Sequence, residues 1–152
     1  MNFIKEIKKY SYKIKLLNNQ HGGKNNQQEP FLENLESLTT SNDNYRKIIY
    51  TTSNKQMQLV LMSLNPGEEI GMEIHDNVDQ FFRIDGGEGK IIYEYDGRLI
   101  EKVLKDGDGL IIPAGTYHNI IAGDRKLKLY TIYTPANHPS DHLETTKQIE
   151  QN

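Results

Sequence analysis

The spacing of apolar residues along this chain changes period once, near Arg46, and that change divides it. Over residues 1–18, Phe3, Ile7, Tyr10, Ile14 and Leu17 recur at intervals of three and four with lysines between them. This is the period of a helix with one apolar face, so a short basic amphipathic helix is expected there. Residues 19–29 are polar and of low complexity, and predict a flexible linker. Residues 30–45 form a connecting segment in which Phe31, Leu32, Leu35 and Leu38 make one weak helical stripe. From Arg46 the period is two. Strands are expected over 46–52, 56–64, 71–76, 79–85, 88–95, 98–104, 108–112, 117–122 and 126–134, with turn signals such as Asn65-Pro66-Gly67, Gly86-Gly87 and Gly123-Asp124 between them. Asp96-Gly97 is the strongest of these, a two-residue hairpin signal. Short, evenly spaced strands without helices between them predict an all-β sandwich or barrel over 46–136. Residues 137–152 then read as a C-terminal tail.

Composition narrows the chemistry. The chain has 152 residues, enough for one domain with an extension, and no cysteine. Disulfides, a thiolate nucleophile and cysteine-bound zinc are therefore excluded. No apolar run approaches the ~18 residues of a membrane span, and no secretory signal is visible, so a cytoplasmic protein is expected. The net charge of −3 is unevenly spread. Residues 1–18 hold five lysines against Glu6, a balance of +4 that leaves −7 for the rest. That balance argues against nucleic acid as the barrel's ligand. Neither a Ser-His-Asp arrangement nor a phosphate loop is present, and Gly86-Gly-Glu-Gly89 is too short for a dinucleotide fingerprint.

Two stretches carry the candidate chemistry. From Gly67 to Gly87 the chain contains G-x5-E-x-H-x4-Q-x6-G, with Glu73, His75 and Gln80 at the variable-free positions. From Gly107 to His118 it contains G-x5-P-x-G-x2-H, through Pro113 and Gly115. Together these resemble the two motifs of the cupin family, usually G-x5-H-x-H-x4-E-x6-G and G-x5-P-x-G-x2-H-x3-N. Every spacing holds, with Glu73 for the first His, Gln80 for the Glu and Ala122 for the closing Asn. The variant is similar to that of small stand-alone bacterial-type cupins, whose shared stretches resemble Val78-Asp-Gln-Phe-Phe-Arg-Ile and Lys128-Leu-Tyr-Thr-Ile-Tyr. The resemblance covers roughly Lys47 to Pro135. It implies a double-stranded β-helix, the cupin jelly-roll barrel, behind a short N-terminal helical extension.

It also implies a divalent metal held by Glu73, His75, Gln80 and His118. Residues two apart on a strand share a face, which places Glu73 with His75. A bend over Asp76-Asn77-Val78 would return Gln80 beside them, and His118 must arrive through the fold. Two His, one Glu and one Gln carry the same formal charge as the usual three His and one Glu. Their harder donor set favours Mn, Fe or Ni, with Zn still open. The opposing reading is a barrel that has lost its metal. Phe82, Ile84, Tyr93, Tyr95 and Tyr133 are candidates to line a pocket. His138 and His142 either close over the barrel mouth or belong to a solvated tail, and the mobility of chain ends favours the tail.

Three functional readings follow. The first is a metal-dependent enzyme acting on a small oxygenated molecule, as a dioxygenase or a sugar or keto isomerase. The second is a small-molecule, carbohydrate-like binding module without turnover. The third is a particle-associated structural protein. For the last, the Tyr10…Leu17…Gly22-Gly23 pattern weakly resembles N-terminal segments of large DNA virus proteins, which implies a place in the virion. The basic helix is otherwise a contact for an anionic surface or a protein partner. A homodimer is expected from the resemblance, with the alternating Lys126-Leu127-Lys128-Leu129 strand offering one face for burial.

Overall fold

The structure, a computed structural model, describes residues 4, 6–8, 10–11, 13–15 and 28–148. Two compact units, Met1–Pro30 and Phe31–Asn152, divide the chain. In the first, the described residues between 4 and 15 are helical, with Ile4, Ile7 and Ile14 exposed. Phe3, Leu17 and the linker expected over 19–27 lie outside the described residues.

The second unit opens with helix α1, Leu35–Ser41. The Asn34 side chain caps it by accepting from Ser37 N at 2.9 Å. Seven residues are too few for a stable isolated helix. Packing supplies the rest, since α1 lies across three strands of the larger sheet and buries Thr39.

Nine strands follow: β1 Arg46–Thr51, β2 Gln58–Leu64, β3 Asp79–Gly86, β4 Glu88–Tyr95, β5 Arg98–Lys105, β6 Gly109–Ile112, β7 His118–Ala122, β8 Leu127–Thr134 and β9 Leu143–Glu144. They form a six-stranded sheet, β6-β3-β8-β2-β1-β9, and a three-stranded sheet, β5-β4-β7. All the pairings are antiparallel. The core lies between the sheets. On β8, Leu127, Leu129, Thr131 and Tyr133 alternate inward and are buried. On β3, Gln80, Phe82 and Ile84 do the same. All seven residues of β2 are buried, one face toward the core and the other beneath α1. Lys126 and Lys128 ion-pair with Asp43 at 3.0 Å, so residues of the same chain engage that face of β8.

Asp96 and Gly97 both take positive φ, 52° and 71°, and close the β4–β5 hairpin. This is the two-residue turn expected of Asp-Gly. Gly87 is needed for a different reason. Its φ is +80°, and a Cβ there would collide with the carbonyl oxygen of Lys126.

Two elements differ from expectation. Residues 71–76 do not form a strand. The segment follows the edge of β7 through isolated bridges only, Glu69 to Ile121 and Glu73 to His118. Gly67 and Gly71, at φ of 72° and 105°, interrupt the extended backbone that a strand would need. The segment after β8 is likewise not a solvated tail. It returns along β1, where Leu143 and Glu144 pair with Lys47 and Arg46 as β9.

Candidate metal centre

Glu73, His75, Gln80 and His118 reach one place from both sheets. Gln80 stands on β3 of the larger sheet and His118 opens β7 of the smaller one. Glu73 arrives on the irregular edge segment, fixed by mutual backbone hydrogen bonds with His118, 2.9 Å from Glu73 N and 3.0 Å to Glu73 O. Gly71 N donates to Asn119 Oδ1 and Ile70 N to Ile120 O, both at 2.9 Å, so the segment is tethered along its length. The His75 carbonyl accepts from Gly115 N at 2.8 Å, joining the first motif to the turn of the second. Convergence therefore comes through pairing across the barrel, rather than through the hairpin expected from Asp76-Asn77-Val78.

The donor atoms are close. Glu73 Oε1 lies 3.4 Å from His75 Nε2 and 3.5 Å from His118 Nε2. Among the described residues, Glu73, His75 and His118 each bring one ligand atom within 4.8 Å of the others. Gln80 Oε1 is 3.2 Å from His118 Nε2, while its Nε2 donates to Thr131 Oγ1 at 3.0 Å. That bond orients the amide, aiming its oxygen into the cluster.

His118 is held in one orientation. Its Nδ1–H donates to the Thr116 carbonyl at 2.8 Å, which turns Nε2 toward the oxygens of Gln80 and Glu73. Oxygens gathered on that nitrogen call for a positive species among them, a proton or a metal ion. Glu73 Oε1 and His75 Nε2 are buried with no hydrogen-bond partner among the described residues, an arrangement that is costly in a native fold. Burial tends to raise the pKa of Glu73, but the His118 and His75 imidazoles more than offset it and hold the carboxyl down at about 2. A negative, acceptor-rich cluster of two imidazoles, a carboxylate and an amide oxygen fits a divalent cation.

The pocket candidates separate. Phe82 is fully buried and meets the His118 ring edge-on at 6.1 Å. Tyr133 is 1% exposed, with its ring perpendicular to His75 at 5.8 Å. Burial foremost, and then the Glu73 carboxylate, raise its pKa, so its phenol stays protonated. Ile84 is buried in the core. Tyr93 stands directly opposite His118, and with Tyr95 it lines a neighbouring cavity of about 440 Å³ that Leu104, Leu110, Ile112 and Thr116 complete. Tyr95 is 69% exposed, because it ends β4 at the hairpin turn. A groove of about 720 Å³, between residues 68–73 and 146–148, reaches Glu73 itself.

His138 and His142, expected in a tail, lie at the site instead. They stack at 5.7 Å with planes 9° apart, and His138 meets Tyr133 edge-on at 5.1 Å. Arg46 and Glu144, which were not singled out from the sequence, pair at 2.7 Å beside them. The signal available was the pair of imidazoles in Asn137-His-Pro-Ser-Asp-His, but nothing local in that stretch predicts its return to the barrel.

The chain belongs to the cupin family. The family model described as cupin domain (Cupin_2) matches residues 60–133. An uncharacterized protein of Acanthamoeba polyphaga mimivirus is 40% identical over 80% of this chain and 76% of its own length. The uncharacterized protein YrkC of Bacillus subtilis is 43% identical over 78% of this chain, a match that spans 64% of that relative's length. Among solved structures, the Bacillus halodurans protein BH2720 is 36% identical, with a TM-score of 0.73 over 79% of this chain and 92% of its own. No helix among the described residues is long and apolar enough to cross a membrane.

Proposed function

We propose that Glu73, His75, Gln80 and His118 hold one divalent metal ion, and that the barrel uses it to act on a small oxygen-bearing molecule as a dioxygenase or a sugar or keto isomerase. The supporting observation is the buried pair Glu73 Oε1 and His75 Nε2, without a hydrogen-bond partner among the described residues and facing Nε2 of His118. Mn, Fe, Ni and Zn all suit two nitrogen and two oxygen donors. Such an ion supplies Lewis acidity to a bound hydroxyl or carbonyl oxygen and, as Fe, redox chemistry with dioxygen.

The protein's own contribution is positional. Thr116 and Thr131 fix His118 and Gln80 through hydrogen bonds of 2.8 and 3.0 Å, so the donors need little rearrangement on loading. Phe82 and Tyr133 pack their rings against His118 and His75 and hold those imidazoles in place from the interior. Glu73 and His75 remain partly open, at 26% and 15%, and give the approach from outside.

The enzymatic reading is tested by reconstituting the protein separately with Fe(II), Mn(II), Ni(II) and Zn(II). Oxygen uptake and product formation are then followed with a panel of small hydroxy and keto compounds, beside a His118→Ala control. Turnover with one metal, absent in the control, supports it. Metal uptake with ligand binding but no turnover in any combination would replace it with the binding-module reading.

A further inference from the structure

Outside the four proposed metal ligands, two nitrogens are buried without a hydrogen-bond partner among the described residues: Arg46 Nε and His138 Nε2. Arg46 stands opposite Met62, which stands opposite Leu129, which stands opposite Ile84. Directly opposed residues share a sheet face. The guanidinium is therefore carried on the inner face with three fully buried side chains. Its Nη1 is bound to Glu144 Oε1 at 2.7 Å, an oxygen that His142 Nε2 also reaches at 2.5 Å. The Nε–H edge is left unspent, and a buried donor on a charged group is expensive to leave unmade.

His138 is placed by a buried amide. Gln58 is 0% exposed. Its Oε1 accepts from Asn137 N at 3.2 Å and His138 N at 3.0 Å, and its Nε2 donates to His138 O at 2.8 Å. Gln58 also stands opposite Tyr133, and Tyr133 opposite Gln80. One inner row, Gln58–Tyr133–Gln80, thus carries His138 at one end and reaches His118 at the other. The Tyr133 ring is the shared neighbour of His75 and His138, at 5.8 and 5.1 Å. The charge of Arg46 acts on both Tyr133 and His138.

We propose that Arg46 and His138 form an acid-binding pole of the site, and that its ligand is a small hydroxy or keto acid with its carboxylate at this pole and its second oxygen function at the metal centre. The destination of the second oxygen rests on the metal reading; the pole itself does not. A guanidinium Nε–H and an imidazole N–H are both donors, and a carboxylate accepts from both in charge-assisted bonds. An uncharged polyol of the same size would offer the Arg46 Nε–H edge no charged acceptor beyond Glu144, which already holds Nη1.

The test compares tartrate with threitol, its uncharged counterpart of equal carbon length. Each is titrated into Co(II)-loaded protein, whose absorption reports changes around the metal. Tartrate is expected to bind at least about tenfold more tightly. Arg46→Lys keeps a counter-charge for Glu144 but lacks the Nε–H. His138→Phe keeps the ring packing but lacks both nitrogens. Each should weaken tartrate about tenfold, with threitol binding and metal content unchanged. Equal binding of tartrate and threitol, no tartrate binding, or variants that bind tartrate like the parent would each overturn the proposal. The same titration on metal-free protein, read by the His138 imidazole resonances, separates the two ideas. A tartrate-induced shift in protein that takes up no metal would keep the pole and discard the metal reading. Metal uptake with no discrimination would do the reverse.

Discussion

Glu73 and His118, one from each motif, exchange both of their backbone hydrogen bonds, at 2.9 and 3.0 Å. The pairing places two proposed ligands side by side through main-chain geometry alone, since directly opposed residues of an antiparallel pair share a face. Tethering of the edge segment by Asn119 and Ile120 keeps that pairing in register. The positions of the ligands are therefore a property of the barrel, and substitutions at the site should act chiefly on chemistry.

Thr131 tests how far that holds for Gln80. Thr131→Val is nearly isosteric and removes the oxygen that accepts from Gln80 Nε2 at 3.0 Å. The amide would be left with a buried donor unpaired, at a cost of about 1–3 kcal/mol. Freed to rotate, it should also weaken metal affinity about tenfold or more. Urea unfolding and competition with a chelator measure the two effects separately.

Gln58→Met should release the segment around His138. The buried amide makes three hydrogen bonds to Asn137 and His138 backbone groups, and methionine offers none of them. A loss on the order of 2 kcal/mol or more is expected in urea unfolding. The His138 amide should exchange with deuterium much faster, while Ile120 and Leu129, deep in the core, keep their protection. Unchanged exchange at His138 would show that the segment is held by other contacts.

His138 predicts a pH dependence. Burial, reinforced by the charges of Arg46 and His142, lowers its pKa from 6.5 to about 4. The unfolded chain therefore binds a proton that the folded protein refuses between those values, and stability falls as pH drops from 6.5 to 4. The slope approaches one proton, about 1.4 kcal/mol per pH unit at its steepest. His138→Phe should lose this component, seen as a flatter stability curve over the same window.

Glu73 predicts a fall in the same direction over a lower pH window in metal-free protein. Its folded-state pKa of about 2 lies below its ordinary 4.5. The stabilisation is complete above pH 4.5 and is lost as pH falls toward 2. The difference in stability between parent and Glu73→Gln should therefore be constant above pH 5 and shrink below 4.5. A difference that persists at pH 2 would mean that the glutamine perturbs packing instead of removing a charge.

The barrel was legible in the sequence because its inward residues alternate cleanly on β3 and β8, and because Asp96-Gly97 has one favoured turn. The four clustered side chains were legible as a motif, but their route together was not. Glycine at 67 and 71 looks like ordinary turn punctuation, and nothing in the spacing reveals that Glu73 pairs with β7 instead of forming a strand of its own. The return of His138 and His142 was hidden more deeply. It depends on Gln58, a polar residue at the head of a mostly apolar strand, whose backbone partners Asn137 and His138 lie beyond β8. Arg46 reads as the outer end of a strand until its register with Met62 turns it inward.

Elemental analysis is the most direct test of the metal centre. The protein should be purified without chelator, beside a His75→Ala/His118→Ala double variant whose folding is checked by circular dichroism. About one equivalent of Mn, Fe, Ni or Zn in the parent, absent from the folded variant, is the expected result. Metal-free parent protein that takes up none of these ions on addition would contradict the account.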